Sequence, residues 1–158
     1  MKLKKSEIRK LYGAYGSNLH LEQMAVRCPD SERITTGLLY DYRLVFRRSG
    51  YADITPCKGG RVPVLLWNIS LSDERYLDIY EGFPKFYIKR ELPVATGNGT
   101  VTAMFYVMAD MYSYEICPPS PSYLATLQHG YSENGLPEIY LDTAVKSAYS
   151  FYEKHHNH

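Results

Sequence analysis

Cysteine is scarce. Cys28, Cys57 and Cys117 are odd in number and widely spaced, so they frame no disulfide scaffold, and the lack of a Cys-x-x-Cys pair argues against a zinc site. No apolar run reaches the ~20 residues of a membrane-spanning helix. The basic start, Met1 followed by Lys2, Lys4, Lys5, Arg9 and Lys10, is not succeeded by the apolar core and small-residue cleavage site of a secretory signal. Excess charge is missing as well: a formal net charge of +1 gives little attraction for a phosphate backbone, because such affinity grows with the number of phosphates neutralised. These absences lead us to expect a soluble, cytoplasmic protein with no metal, no membrane partner and no nucleic-acid partner.

There is also no internal repeat, low-complexity tract or linker. At 158 residues the chain is long enough for one core without disulfide or metal staples. We therefore expect a single domain over residues 1–154 and a disordered His-rich tail over 155–158. What the chain does have is tyrosine: sixteen, against five Phe and one Trp. Tyrosine carries apolar area with a hydroxyl at its tip, which suits a ring-lined polar pocket and equally a sheet surface.

Lys10 to Tyr15 reads as a strand entering the turn formers Gly16-Ser17-Asn18, and His20 to Arg27 as a short helix with Asn18 as N-cap and Pro29 beyond it. Ile34 to Phe46 predicts two strands or one bent strand, and Tyr51 to Pro56 a short one. Lys58-Gly59-Gly60 predicts a turn, and Arg61 to Ile69 a core strand with Pro63 near its start. A helix comes next over about Asp73 to Glu81, with Ser72 as N-cap and Gly82 closing it. Phe86 to Ala95 and Thr100 to Ala109 predict a hairpin across Thr96-Gly97-Asn98-Gly99, with a loop longer than two residues. Ser120 to Glu133 and Glu138 to Lys154 predict two last helices.

Two features could carry chemistry. The segment Tyr15-Gly16-Ser17-Asn18-Leu19 ends a strand just before a helix, where successive amides can converge on a carboxylate or an oxyanion. An ordinary strand-to-helix turn explains the same residues, and on their own they favour it. Glu81 shares a helix face with Leu77 and Tyr80 and precedes Phe83, Pro84, Phe86 and Tyr87. Partial desolvation and the negative helix end would both raise its pKa, the direction a general base near neutral pH requires. A solvated Glu at a frayed helix end is the plainer reading of Glu81 by itself. His20 and His129 stand isolated in sequence with core or surface roles, the tail histidines lack further ligands, and Ser17 lacks the following glycine of a nucleophile elbow.

Taken together, Tyr15-Gly16-Ser17-Asn18-Leu19, Leu77-Asp78-Ile79-Tyr80-Glu81-Gly82, Pro118-Pro119-Ser120-Pro121-Ser122-Tyr123 and Glu133-Asn134-Gly135-Leu136-Pro137 resemble the successive motifs of the γ-glutamylcyclotransferase (AIG2-like) family, over about residues 10 to 148. The last two motifs are more similar to its glutathione-pathway and bacterial branch than to its γ-glutamylamine branch. The resemblance implies an α+β fold, a small mixed, largely antiparallel β-barrel with flanking helices. It implies release of 5-oxoproline from a γ-glutamyl amide, the substrate's own α-amine attacking its γ-carbonyl, with no cofactor. Glu81 then matches the family's catalytic glutamate. Tyr15, Gly16, Ser17, Asn18 and Leu19 match the loop that grips the γ-glutamyl moiety, and Tyr87, Tyr106 and Tyr123 the tyrosines of the pocket. The segment between Glu81 and Tyr87 departs from the family spacing, and Tyr51 to Gly60 matches no family pattern, so the leaving amine stays open.

Three other functions fit the residues less well. The same fold could remove a γ-glutamyl group from a biosynthetic intermediate, or hold a γ-glutamyl or small acidic ligand without turnover. A tyrosine-rich barrel that stacks single-stranded bases is the most distant.

Overall fold

A computed structural model describes residues 8–112 and 115–156. Five strands close into a barrel in the order β1-β3-β2-β4-β5: β1 Arg9–Ala14, β2 Glu32–Phe46, β3 Ala52–Ser70, β4 Tyr87–Thr96 and β5 Gly99–Met108. All neighbouring pairs are antiparallel except the closing pair, where β1 runs parallel to β5 with Tyr12 opposite Met104. The expected mixed, largely antiparallel barrel is thus the observed fold, flanked by α1 Leu21–Arg27, α2 Leu71–Glu81, α3 Pro121–Glu133 and α4 Glu138–His156.

The segments expected as two strands and a turn, Tyr51 to Pro56, Lys58 to Gly60 and Arg61 to Ile69, form the single strand β3. It pairs with β2 from Ala52 to Pro56 and again from Arg61 to Asn68, with residues 57–60 bulging out opposite Asp41, and the register also slips between Arg33 and Thr35. Those bulges bend the long strands as a barrel requires. At the first, Asp41 adopts φ 66° and its carboxylate accepts the Gly59 amide at 3.0 Å. The β4–β5 connection is the minimal two-residue loop, with Thr96 opposite Gly99, and not the longer loop expected from sequence.

The barrel interior is filled by side chains such as Leu39, Val62, Val64, Leu66, Val94 and Phe105, all essentially inaccessible to solvent. Gly13 belongs in β1 because a Cβ there would lie 2.2 Å from the Phe105 ring. α4 packs across β2 and includes His155 and His156, which the sequence placed in a disordered tail. The basic residues up to Lys5 and the last two residues of that tail lie outside the described ones. Among the described residues no helix is long and apolar enough to cross a membrane.

The helices that flank the barrel mouth have well-defined ends. α2 begins with Ser70, not Ser72, as N-cap: Ser70 and Asp73 exchange hydrogen bonds at 3.1 and 3.2 Å in a capping box. It ends as expected on Gly82, left-handed at φ 65°, which stops the helix directly after Glu81. α1 is capped by His20, whose Nδ1 accepts the Gln23 amide at 3.3 Å, and not by Asn18.

Candidate active site

β1 delivers the chain to one end of the barrel, where Gly16 leads into a single tight helical turn, Ser17–Leu19. α2 brings its last residue, Glu81, to the same end, and α3 brings Tyr123 in its first turn. Together with the strand residues Tyr87 and Tyr106 these enclose a cavity of about 290 Å³. Tyr15, Gly16, Ser17, Asn18, Glu81, Tyr87, Tyr106 and Tyr123 all line it, so residues separated by over a hundred positions in sequence converge there. Leu19 does not. Its side chain is fully buried against Gly130 of α3, and its amide is spent on the Gly16 carbonyl at 3.0 Å.

The turn is held from behind. The Trp67 indole donates to the Asn18 carbonyl at 3.0 Å, and Asn134 donates to that of Leu19 at 2.8 Å. The Asn18 side chain is also committed: its oxygen accepts from the Arg27 guanidinium and its nitrogen donates to the Tyr12 hydroxyl at 2.9 Å. The Ser17 hydroxyl meets that of Tyr80 at 3.2 Å, so what the turn offers the cavity is mainly backbone. Gly16 keeps it open, since a Cβ there would sit 3.3 Å from the Tyr123 hydroxyl.

Glu81 faces this turn from α2. Its burial pushes the carboxyl up to about 7, while the positive charge of Arg27 pulls the other way. It is partly accessible, being a wall of the cavity, and no hydrogen bond from the described residues holds its charged form. An unpaired carboxylate in a largely apolar ring of tyrosines is the arrangement that puts its pKa near neutrality.

The tyrosine hydroxyls divide by where their protons go. Tyr15 donates to the Tyr106 carbonyl at 2.6 Å, Tyr87 to the Ala52 carbonyl at 2.7 Å, and Tyr106 to Asp78 at 2.6 Å. These three fix the cavity wall and have no proton left for a ligand. Tyr12 and Tyr123 instead accept, from Asn18 and from the Ala52 amide at 3.1 Å, and keep their own protons.

Sequence reasoning missed Tyr12, Gly13, Tyr51, Ala52, Tyr80 and Phe86 as cavity walls. Of the segment Tyr51 to Gly60, only Tyr51 and Ala52 reach the cavity; from Ala52 onward the chain pairs with β2. Arg27 was missed too. Its guanidinium lies 3.3 Å over the Tyr80 ring, tying α1 to α2 beside Glu81. Its place in the last turn of α1, one helical turn after Gln23, was the only signal in the sequence.

Among the described residues, one side-chain group outside the cavity could hold a cation. His20 and His129, far apart in sequence, meet with ring centroids 4.6 Å apart, and Glu133 lies 3.0 Å from His129. Their donor atoms fall within 4.8 Å of one another. None of the three lines the cavity.

Comparison with known proteins agrees with this fold. The profile of the AIG2-like family matches residues 61–143. The human gamma-glutamylcyclotransferase is 35% identical over 144 residues, spanning 84% of this chain and 75% of its own, and the mouse protein of the same name is 34% identical over the same shares. A solved structure named gamma-glutamyl cyclotransferase superposes with a TM-score of 0.79 at 33% identity, covering 87% of this chain and 86% of the other.

Proposed function

The chain belongs to the γ-glutamylcyclotransferase family, and on that premise we propose that it releases 5-oxoproline from a γ-glutamyl amino acid or related γ-glutamyl amide, with Glu81 as general acid and base. The observation that carries this is Glu81 facing the Gly16 to Asn18 turn across one cavity, with its carboxyl pushed up to about 7.

The chemistry needs little from the protein beyond folding the substrate and moving protons. The α-amino nitrogen attacks the γ-carbonyl carbon, a ring bond forms, and the amide C–N bond breaks. Holding the two ends of one flexible chain together supplies much of the rate. An α-ammonium cannot attack until it loses a proton, and an amide nitrogen cannot leave until it gains one. Counted from ammonium to lactam, two protons leave the α-nitrogen, and two reach the departing amine as it becomes ammonium. Glu81 carries them in turn, and a carboxyl near 7 both takes and returns a proton at neutral pH.

The amides of Gly16, Ser17 and Asn18, which have no acceptor among the described residues, grip the γ-glutamyl moiety through its α-carboxylate, while Leu19 serves the turn as its buried anchor. Tyr87, Tyr106 and Tyr123 shape the pocket around the glutamyl carbons. Because the nucleophile arrives with the substrate, no activated Ser or Cys and no cofactor is required.

A panel of γ-glutamyl amino acids and amides, assayed with purified protein for 5-oxoproline by chromatography, tests the assignment. Release from at least one member is expected. Tight binding of the panel without release would instead favour a binding module, and release only from a bulky amine conjugate would favour action on a biosynthetic intermediate.

A further inference from the structure

The geometry points to Tyr12 as a second catalytic group, one that donates a hydrogen bond to the γ-carbonyl oxygen as it becomes negative, with Arg27 as a positioning residue acting through Asn18. This rests on the cyclotransferase reading of the cavity and adds to it the group that meets the developing charge.

Attack on an amide carbonyl builds negative charge on its oxygen, and a donor already aimed at that oxygen lowers the barrier most when water is excluded. The donor must have a proton to spare. Among the tyrosines of the barrel wall, Tyr15, Tyr87 and Tyr106 have spent theirs on protein acceptors. Tyr12 has not: its oxygen accepts from the Asn18 carboxamide at 2.9 Å, and no acceptor for its own proton lies among the described residues. Only 4% of Tyr12 is exposed, yet it lines the cavity beside Glu81. A buried hydroxyl whose proton has no protein acceptor is suited to a ligand oxygen.

Its orientation is enforced from outside. The Arg27 guanidinium donates to the Asn18 oxygen, which leaves the carboxamide nitrogen pointing at Tyr12 and fixes which end of the amide faces inward. Arg27 is itself held by the Tyr80 ring at 3.3 Å. The row Arg27 to Asn18 to Tyr12 is a directed series of donors, each polarising the next, and its free end is the Tyr12 proton. A hydroxyl that already accepts a hydrogen bond is a stronger donor in turn. Tyr12 does not ionise in this role: desolvation, with Glu81 as the next cause, holds its pKa well above the ordinary phenol value.

Arg27 also faces Glu81 directly, so its two effects have to be separated. The groups facing Glu81 are Arg27 from α1, Tyr12 from β1, Tyr15 just after it, Tyr87 from β4 and Tyr123 from α3; of these only Arg27 is charged near neutral pH. Above the acid limb of each variant's own pH profile Glu81 is ionised with or without Arg27, and an effect of Arg27 that persists there is not an effect on Glu81.

The test is a double-mutant cycle, measured on the alkaline plateau of each variant's pH profile, on a γ-glutamyl amide that the wild-type protein turns over. Tyr12→Phe is expected to lower kcat about a hundredfold, the scale of one lost oxyanion donor, with KM within about threefold. Arg27→Met is expected to lower kcat by a smaller factor, and the double variant to be no slower than Tyr12→Phe alone, since Arg27 acts through the missing hydroxyl. Should Tyr12→Phe fail to fold, 3-fluorotyrosine at position 12 keeps the size and both hydrogen bonds while strengthening the donor, and is expected to change kcat at constant KM. A folded Tyr12→Phe with kcat within threefold of wild type, or a fluorotyrosine protein with unchanged kcat, overturns the role of Tyr12. A double variant in which the two losses multiply overturns that of Arg27. Absence of turnover in the wild-type protein itself would instead overturn the cyclotransferase reading.

Discussion

Tyr106 gives its hydroxyl proton to Asp78 at 2.6 Å, and Asp78 is bound in turn by Lys89 at 2.9 Å. Lys89 also meets Glu74 at 2.8 Å, and Glu74 meets Lys10 at 2.9 Å. Strands β1, β4 and β5 thereby hold the α2 helix at two successive turns, and Glu81 lies one turn beyond Asp78. A tyrosine of the cavity wall thereby also anchors the helix that carries the proposed base.

Tyr106→Phe should therefore cost stability more than binding. Loss of a hydrogen bond to a charged acceptor predicts about 1–3 kcal/mol by urea denaturation. KM for a γ-glutamyl amide should stay within about threefold. A large rise in KM at unchanged stability would return Tyr106 to the substrate.

Glu81→Gln should be more stable than wild type at alkaline pH. The Glu81 carboxyl is raised from 4.5 to about 7 in the folded protein, so folding favours its neutral form. The associated stability is fully present below the unfolded pKa and is lost as pH rises through about 7. A neutral amide has no such loss, and the gain relative to wild type should approach about 3 kcal/mol above pH 8 and vanish below about pH 4.5. Urea midpoints across that range measure it, and a gain independent of pH would contradict the burial assigned to the carboxyl.

Arg27→Met removes the one cation that opposes the burial of Glu81. The acid limb of kcat/KM, expected near pH 7 in the wild-type protein, should move to higher pH. Arg27→Lys should restore most of that shift while losing the guanidinium stack on Tyr80. A limb that stays in place in a folded Arg27→Met protein would show that Arg27 does not act on Glu81.

Gly130→Ala tests the support of the Gly16 to Leu19 turn. A Cβ at Gly130 would lie 2.6 Å from the Leu19 Cβ and 3.0 Å from the Leu19 backbone. Overpacking of this kind costs about 1–3 kcal/mol, and the turn should yield before the helix does. KM should rise several-fold, with kcat changing less, in steady-state assays.

Much of the fold and the site was legible in local sequence. Gly82 marks the end of α2, and that glycine with Phe83, Phe86 and Tyr87 is enough to put Glu81 at a helix terminus among aromatic neighbours. The order of the motifs then implied the barrel. Where reading failed, the deciding interaction was long-range. Lys58-Gly59-Gly60 has the composition of a turn and does bulge out opposite Asp41, yet the pairing of β3 with β2 resumes on either side of it, at Pro56 and Arg61, and makes one strand of the two expected. Ser72 looks as good a cap as Ser70, and only the end of β3 decides between them. Tyr12 is a strand residue like many others, and its role depends on Asn18, Arg27 and Glu81 reaching the same end of a closed barrel. The many tyrosines were visible from the start, but where each hydroxyl proton goes depends on acceptors such as the Tyr106 carbonyl, 91 positions away from Tyr15.

The central claim is that Glu81 moves the protons of an intramolecular aminolysis. The direct measurement is 5-oxoproline released by Glu81→Gln and by wild-type protein from the same γ-glutamyl amide, with folding checked by circular dichroism. The variant is expected to stay folded and to release no more 5-oxoproline than the buffer control. Release at a rate comparable with wild type from folded Glu81→Gln would contradict the claim.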